Sequence, residues 1–251
     1  MRLLLVNPNM TRAMTDTMVA IAAKVAGPEH EIVGLTADRG FPYIASRAES
    51  QIAGGIALEM IADNLDGADA VIMAAFGDPG LRGARELFDL PVVGMADAAI
   101  MSAAMLGDRF SIVTFSPVMR RWYLDCVRDS GLIDRSAGVR TPHDHPLDVN
   151  GVKETLRAEL CALARRAVEE DGADVVILGG APLAGLAQEI APEVPAIVVD
   201  PISAAVAQAL ALVRIAPGPF SAVRHCKPIA KTSVGLSPSL RSIVGHEPAG
   251  G

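Results

Sequence analysis

Gly67-Ala68-Asp69-Ala70-Val71-Ile72-Met73-Ala74-Ala75, running into Phe76-Gly77-Asp78-Pro79-Gly80, has a counterpart later in the chain. This is Gly172-Ala173-Asp174-Val175-Val176-Ile177-Leu178-Gly179-Gly180, running into Ala181-Pro182-Leu183-Ala184-Gly185. Gly172 stands 105 residues after Gly67 and Gly180 stands 105 residues after Ala75, so the offset is constant through the segment. The likeness resumes where Leu90-Pro91-Val92-Val93-Gly94 is echoed by Val194-Pro195-Ala196-Ile197-Val198, at an offset of 104. A short apolar run that ends in small residues and then a Gly/Pro turn is the pattern of a buried strand leading into a helix. Its repetition predicts a duplicated half.

Working outward, similar runs lie near residues 3–6, 31–35, 92–95, 110–114, 137–140 and 196–199, alternating with longer amphipathic segments. With the runs at 70–74 and 175–178 they predict an α/β protein of two pseudo-symmetric lobes, each with a mainly parallel sheet, and a cleft between the lobes. Leu156, Leu160, Leu163, Ala164 and Ala167 share one face of a helix expected over roughly 151–171. Cys161 lies beside that stripe as a small buried hydrophobe. The first lobe is expected at 1–106, with room to exchange its end segment with the second at 107–215. From Ala216 onward periodicity is lost and Pro217, Pro219, Pro228 and Pro238 punctuate the chain, which predicts a surface-clasping or partly disordered tail over 216–251.

Composition narrows the classes of function. Of the 251 residues 51% are apolar and only 4% aromatic, so Ala, Val, Leu and Ile must fill the interior. A formal charge of −7, with no Lys/Arg cluster, argues against nucleic acid as a partner. The apolar start Met1–Val6 gives way to Asn7-Pro8-Asn9 and is too short for a signal core or a membrane span, so a cytoplasmic protein with no membrane partner is expected. Cys126, Cys161 and Cys226 are odd in number and widely spaced, which fits reduced thiols rather than a disulfide frame or a metal knuckle.

In parallel sheets the C-terminal strand ends gather on one side, so a small-molecule substrate is expected in a cleft lined by 7–11, 75–80, 114–117 and 180–185. The Asn7 and Asn9 amides are candidates to hold a polar or anionic substrate group, with Asn9 or Thr11 capping the following helix. Phe76 and Gly77 would bring backbone close to the ligand, while Asp78 caps the next helix. Thr114 and Phe115, with Ser116-Pro117, form the turn of the second half that corresponds to Asn7-Pro8-Asn9. Gly179, Gly180 and Ala181, followed by Pro182, remove bulk and leave backbone N–H groups for an oxyanion or enolate. Tyr43 is a candidate lid residue whose phenol donates a hydrogen bond, and Arg47 is either a carboxylate partner or a solvated helix-start residue. The run Thr141-Pro142-His143-Asp144-His145-Pro146 is the outstanding titratable cluster. His143 or His145 would move a proton, with Asp144 orienting a ring, unless the run is a polar surface loop. No metal site is identified, because ligands at i and i+2 need a third partner that only His225-Cys226 is at hand to supply.

Taken together, Asn7-Pro8-Asn9, the AxFGDPGL pattern at 74–81 with Arg85-Glu86, PVVGMADAA at 91–99, RFSIVT at 109–114 and LGxA at 178–181 resemble the hydantoin racemase branch of the aspartate/glutamate racemase superfamily. The resemblance covers most of the chain. It implies two α/β lobes related by a pseudo-twofold axis, no cofactor, a homo-oligomer, and inversion of a hydantoin-, amino-acid- or ureide-like carbon acid next to a carbonyl. It also implies two cysteines flanking the substrate, one taking the α-proton from one face and the other returning it from the opposite face. The matching motifs place these at Ala75 and Gly180, and neither side chain can carry a proton. A racemase or isomerase that handles the proton by other groups is therefore the first expectation. A cofactor-free carbon–carbon lyase or decarboxylase, similar to arylmalonate decarboxylase, and a non-catalytic binding homologue are the alternatives.

Overall fold

The duplicated strands pair as the repeat requires. The computed structural model describes residues 1–146, 148–149, 151–216, 220 and 227–246. The first half runs β1 (Arg2–Asn7), α1 (Arg12–Ala26), β2 (Glu31–Thr36), α2 (Arg47–Asn64), β3 (Ala70–Met73), α3 (Leu81–Leu87), β4 (Val92–Gly94) and α4 (Met95–Leu106). The second runs β5 (Phe110–Val113), α5 (Arg120–Asp129), β6 (Ser136–Arg140), α6 (Val152–Thr155), α7 (Arg157–Glu169), β7 (Val175–Leu178), α8 (Leu186–Ile190), β8 (Ile197–Val199) and α9 (Pro201–Ile215). A last helix, α10 (Pro238–Gly245), follows. Each half forms a four-stranded sheet, in the orders β2-β1-β3-β4 and β6-β5-β7-β8, and every pairing is parallel. The central strands are buried along their length, as a sheet covered by helices on both faces demands.

The two sheets share a core because the last helix of each half crosses over. α4 packs on β5 and β7 of the second sheet, α9 packs on β3 and β4 of the first, and the two helices pack on each other. Leu3, Leu5 and Ile72 of one sheet and Ile112, Val175 and Ile177 of the other therefore belong to a single apolar cluster, bridged by Ile100 and Val206.

Two expectations are corrected. The helix read over 151–171 is broken at Leu156 (φ −103°, ψ 7°) into α6 and α7. α6 packs against the turn at Ala181–Leu183, whereas α7 carries Leu160, Leu163, Ala164 and Ala167 onto the sheet, and one straight helix cannot serve both supports. Downstream of Ala216 the tail does clasp the surface, but with a helix that its lost periodicity did not suggest. Ser237 Oγ caps α10 by accepting Leu240 N–H, Ser237 N–H donates to Glu59 Oε1 at 2.9 Å, and Leu240 is buried against α2. Pro217, Pro219 and the His225-Cys226 pair lie outside the described residues. Cys161 is buried among the α7 side chains, as its position beside the stripe requires. Among the described residues no helix is long and apolar enough to cross a membrane.

Candidate active site

β1 ends in a turn whose polar groups are largely spent on itself. Asn7 Nδ2 donates to Asn9 Oδ1 and Thr15 Oγ1, both at 3.0 Å, while Asn7 Oδ1 accepts Asn9 N–H at 3.2 Å. Asn9 Oδ1 also accepts Thr11 N–H at 2.9 Å. Thr11 occupies the cap position of α1, but its hydroxyl donates to Pro42 O at 2.6 Å instead of closing the helix. With Met10 N–H donating to Phe41 O at 2.9 Å, these bonds fix the loop that carries Tyr43. Asn7 is thus a buried frame residue, and Asn9 is the one of the pair that lines a cavity.

That cavity is where the repeated strand ends meet. Ala75 and Phe76 come from the first repeat and Ala181 from the second, with Asn9, Tyr43, Ile44, Trp122 and Tyr123 completing the wall. Its volume is about 10 Å³, close to the space of one water molecule, so a five-membered ring enters only if side chains move outward. Aromatic rings fill the rest: Phe76 and Tyr123 lie 4.6 Å apart between centroids, and Tyr43 and Phe115 5.8 Å. Gly180 has φ +131°, and a Cβ built on it would stand 2.8 Å from Phe115 Cε1. Phe115 therefore occupies the room that a side chain at 180 would need. Pro182 lies in the 3₁₀ turn Ala181–Leu183, outside the cavity wall.

Gly77 is required by a neighbour inside the protein. At φ +112° its Cβ would fall 2.2 Å from Trp122 Cζ2, so the glycine admits the indole rather than opening backbone to the cavity. Asp78 caps a helix, but not the next one. Its carboxylate accepts Ala96 N–H at 2.9 Å and Asp97 N–H at 2.8 Å, at the start of α4, while α3 has no side-chain cap. Burial pushes this carboxyl up to about 7 against the opposing pull of those N–H groups. Arg47 pairs with Asp125 of α5 (Nε to Oδ2, 2.6 Å), tying the first half to the second, and does not reach the cavity.

The histidine run divides. His143 Nδ1 pairs with Asp144 Oδ1 at 2.9 Å, but both side chains are more than nine-tenths exposed, and neither lines the cavity. The hydrogen bond from Asp144 raises the His143 pKa. His145 is also exposed and outside the cavity wall, but its Nδ1 is 2.6 Å from the hydroxyl of Ser116, a buried residue directly after Phe115. No group of three or more potential metal ligands is found among the described residues. Cys126, pushed up by burial, stays a thiol and turns its sulfur to Trp122 O at 3.4 Å.

Two residues absent from the sequence-based candidates dominate the wall: Trp122, the single tryptophan, and Tyr123, one of two tyrosines. Their signal was visible as an aromatic pair a few residues past the strand 110–114, in a chain poor in aromatics. Among the described residues, Tyr43 and Tyr123 are the only ionisable side chains lining the cavity, and burial pushes both phenols up, so both keep their proton at neutral pH. Beside Tyr123, the buried Thr114 Oγ1 makes no hydrogen bond of ordinary geometry among the described residues.

Comparison with known proteins agrees with this fold. The family model described as Asp/Glu/Hydantoin racemase matches residues 3–209. A hydantoin racemase of Paenarthrobacter aurescens is 34% identical over 236 residues, covering 92% of this chain and 99% of its own. The crystal structure of an allantoin racemase from Pseudomonas fluorescens superposes with a TM-score of 0.86 at 33% identity, covering 94% of this chain and all of the other. A variant of arylmalonate decarboxylase reaches a TM-score of 0.66 at 15% identity, which bears on the fold alone.

Proposed function

The chain belongs to the Asp/Glu/hydantoin racemase family, and on that footing we propose that it is a cofactor-independent racemase or isomerase acting on a small carbonyl-activated carbon acid of the hydantoin, amino-acid or ureide type. The observation that carries this reading is the small cavity lined by Ala75 and Phe76 of one repeat and Ala181 of the other. Asn9, Tyr43, Phe76 and Ala181 contact the substrate there. Ala75 and Gly180, where the family resemblance puts thiols, supply no acid or base. The α-proton therefore leaves to solvent water, and we assign its relay to His145, an exposed residue that contacts Ser116 directly after Phe115. The reading extends to a homo-oligomer in the cytoplasm. Behind the lyase alternative stand structural neighbours of 15–16% identity, which bear on the fold alone.

Incubation in D₂O with allantoin and a panel of 5-substituted hydantoins, followed by NMR and chiral chromatography, tests the reading. Deuterium uptake at the α-carbon with loss of optical purity is the expected result. Ligand binding without exchange would overturn it in favour of a binding protein, and CO₂ release from malonates in favour of a lyase. His145→Ala should slow exchange by at least about tenfold, within the range for proton-transfer groups, whereas His143→Ala leaves the rate unchanged.

A further inference from the structure

A racemase with no thiol at positions 75 and 180 still has to stabilise the enolate that forms when the α-proton leaves, and a buried hydroxyl that keeps its own proton is suited to that task. Tyr123 is such a group. Its side chain is 1% exposed, its ring is held against Phe76 and Trp122, and a Cβ on Gly179 would come within 3.1 Å of its Cε2. Its hydroxyl lies 3.7 Å from where a Gly180 Cβ would be, at the strand end of the second repeat. Thr114 Oγ1 is buried within reach of this hydroxyl and has no other polar partner among the described residues, so the two hydroxyls form a pair with hydrogen-bonding capacity to spare for a ligand oxygen.

The geometry points to Tyr123 as a catalytic residue whose hydroxyl donates a hydrogen bond to the enolate oxygen of the bound carbon acid, a role that rests on the racemase reading above. The α C–H bond breaks and its proton passes to water. The bonding pair forms the C=C bond of the enolate as the carbonyl π pair moves onto oxygen, where the Tyr123 O–H meets it. Reprotonation from water on either face restores the carbonyl and yields both enantiomers. Tyr123 keeps its proton throughout, and Thr114 holds the hydroxyl or the same oxygen from the β5 side.

The test uses 5-benzylhydantoin in D₂O. Tyr123→Phe should lower the exchange rate by about 100-fold, the scale of losing one oxyanion donor. Affinity, read from the fluorescence of Trp122, the only tryptophan, should change less than about threefold, because the interaction strengthens in the transition state. An undiminished rate in Tyr123→Phe would overturn the role while leaving the racemase reading intact. A wild type that binds but does not exchange would overturn the reading and the role with it. A second measurement is independent of whether Tyr123→Phe folds. In a Tyr43→Phe background Tyr123 is the sole tyrosine, and replacing it with 3-fluorotyrosine supplies a more acidic phenol and a stronger donor. Exchange should then run faster than in the same background with ordinary tyrosine, and an equal rate would reject the hydrogen-bonding role.

Discussion

Gly180 and Ala75 occupy equivalent places in the two repeats, yet they differ in what they tolerate. Gly180 has a backbone conformation that L-residues rarely adopt, and Phe115 fills the volume beside it. Ala75 is an ordinary buried residue with its methyl at the cavity wall. Gly180→Cys should therefore destabilise the protein by about 2 kcal/mol or more through backbone strain and the clash with Phe115. Ala75→Cys should cost less than about 1.5 kcal/mol, as modest overpacking does. Urea denaturation of the two variants measures the difference, and near-equal losses would refute the steric account. Both positions were legible in the sequence as sites without chemistry, because a methyl or a hydrogen says so at once. That Phe115 fills the room beside Gly180 was not, since a ring's position depends on chain segments far apart in sequence. The histidine run shows the same limit: His143 and His145 are alike as residues and both are exposed, and only the turn they sit on gives His145 its contact with Ser116.

At the scale of elements, Asp78 connects a loop of the first half to α4, which packs on the sheet of the second. Sequence pattern identified a capping aspartate but assigned it to the nearest helix, because local spacing carries no information about which helix start is brought close in space. The connection has a pH signature. Its carboxyl is raised in the folded state, to about 7, above the ordinary carboxylate range, so the folded state binds the proton more tightly than the unfolded chain. The associated stabilisation is complete below the ordinary carboxylate range and is lost as pH rises through about 7. Melting temperatures between about pH 4 and 8 should fall with rising pH in the wild type, and the fall should be shallower in Asp78→Asn. Parallel slopes in the two proteins would exclude Asp78 as the source.

For the whole molecule, the crossing of α4 and α9 places both sheets in one apolar cluster, so neither half keeps its core if the other opens. The lobes should unfold together. Trp122 fluorescence, which reports on α5 at the junction, and far-ultraviolet circular dichroism, which reports on all helices, should give coincident urea transitions. Separate transitions would show that the halves are independent units. α10 adds a second clasp, closing the C-terminal segment onto α2 with Leu240.

The amino-acid sequence alone determined the eight strands, their division into two like halves, and the strand ends that converge on one cavity. Those features follow from local periodicity and from repetition, which are properties of the chain read in order. The tertiary structure alone decided that α4 and α9 change sheets, that Asp78 caps a distant helix, that Phe115 fills the space beside Gly180, and that Trp122 and Tyr123 become the walls of the site. Each of those depends on which surfaces meet when two amphipathic layers pack, and side chains far apart along the chain carry no local mark of the neighbour they will touch.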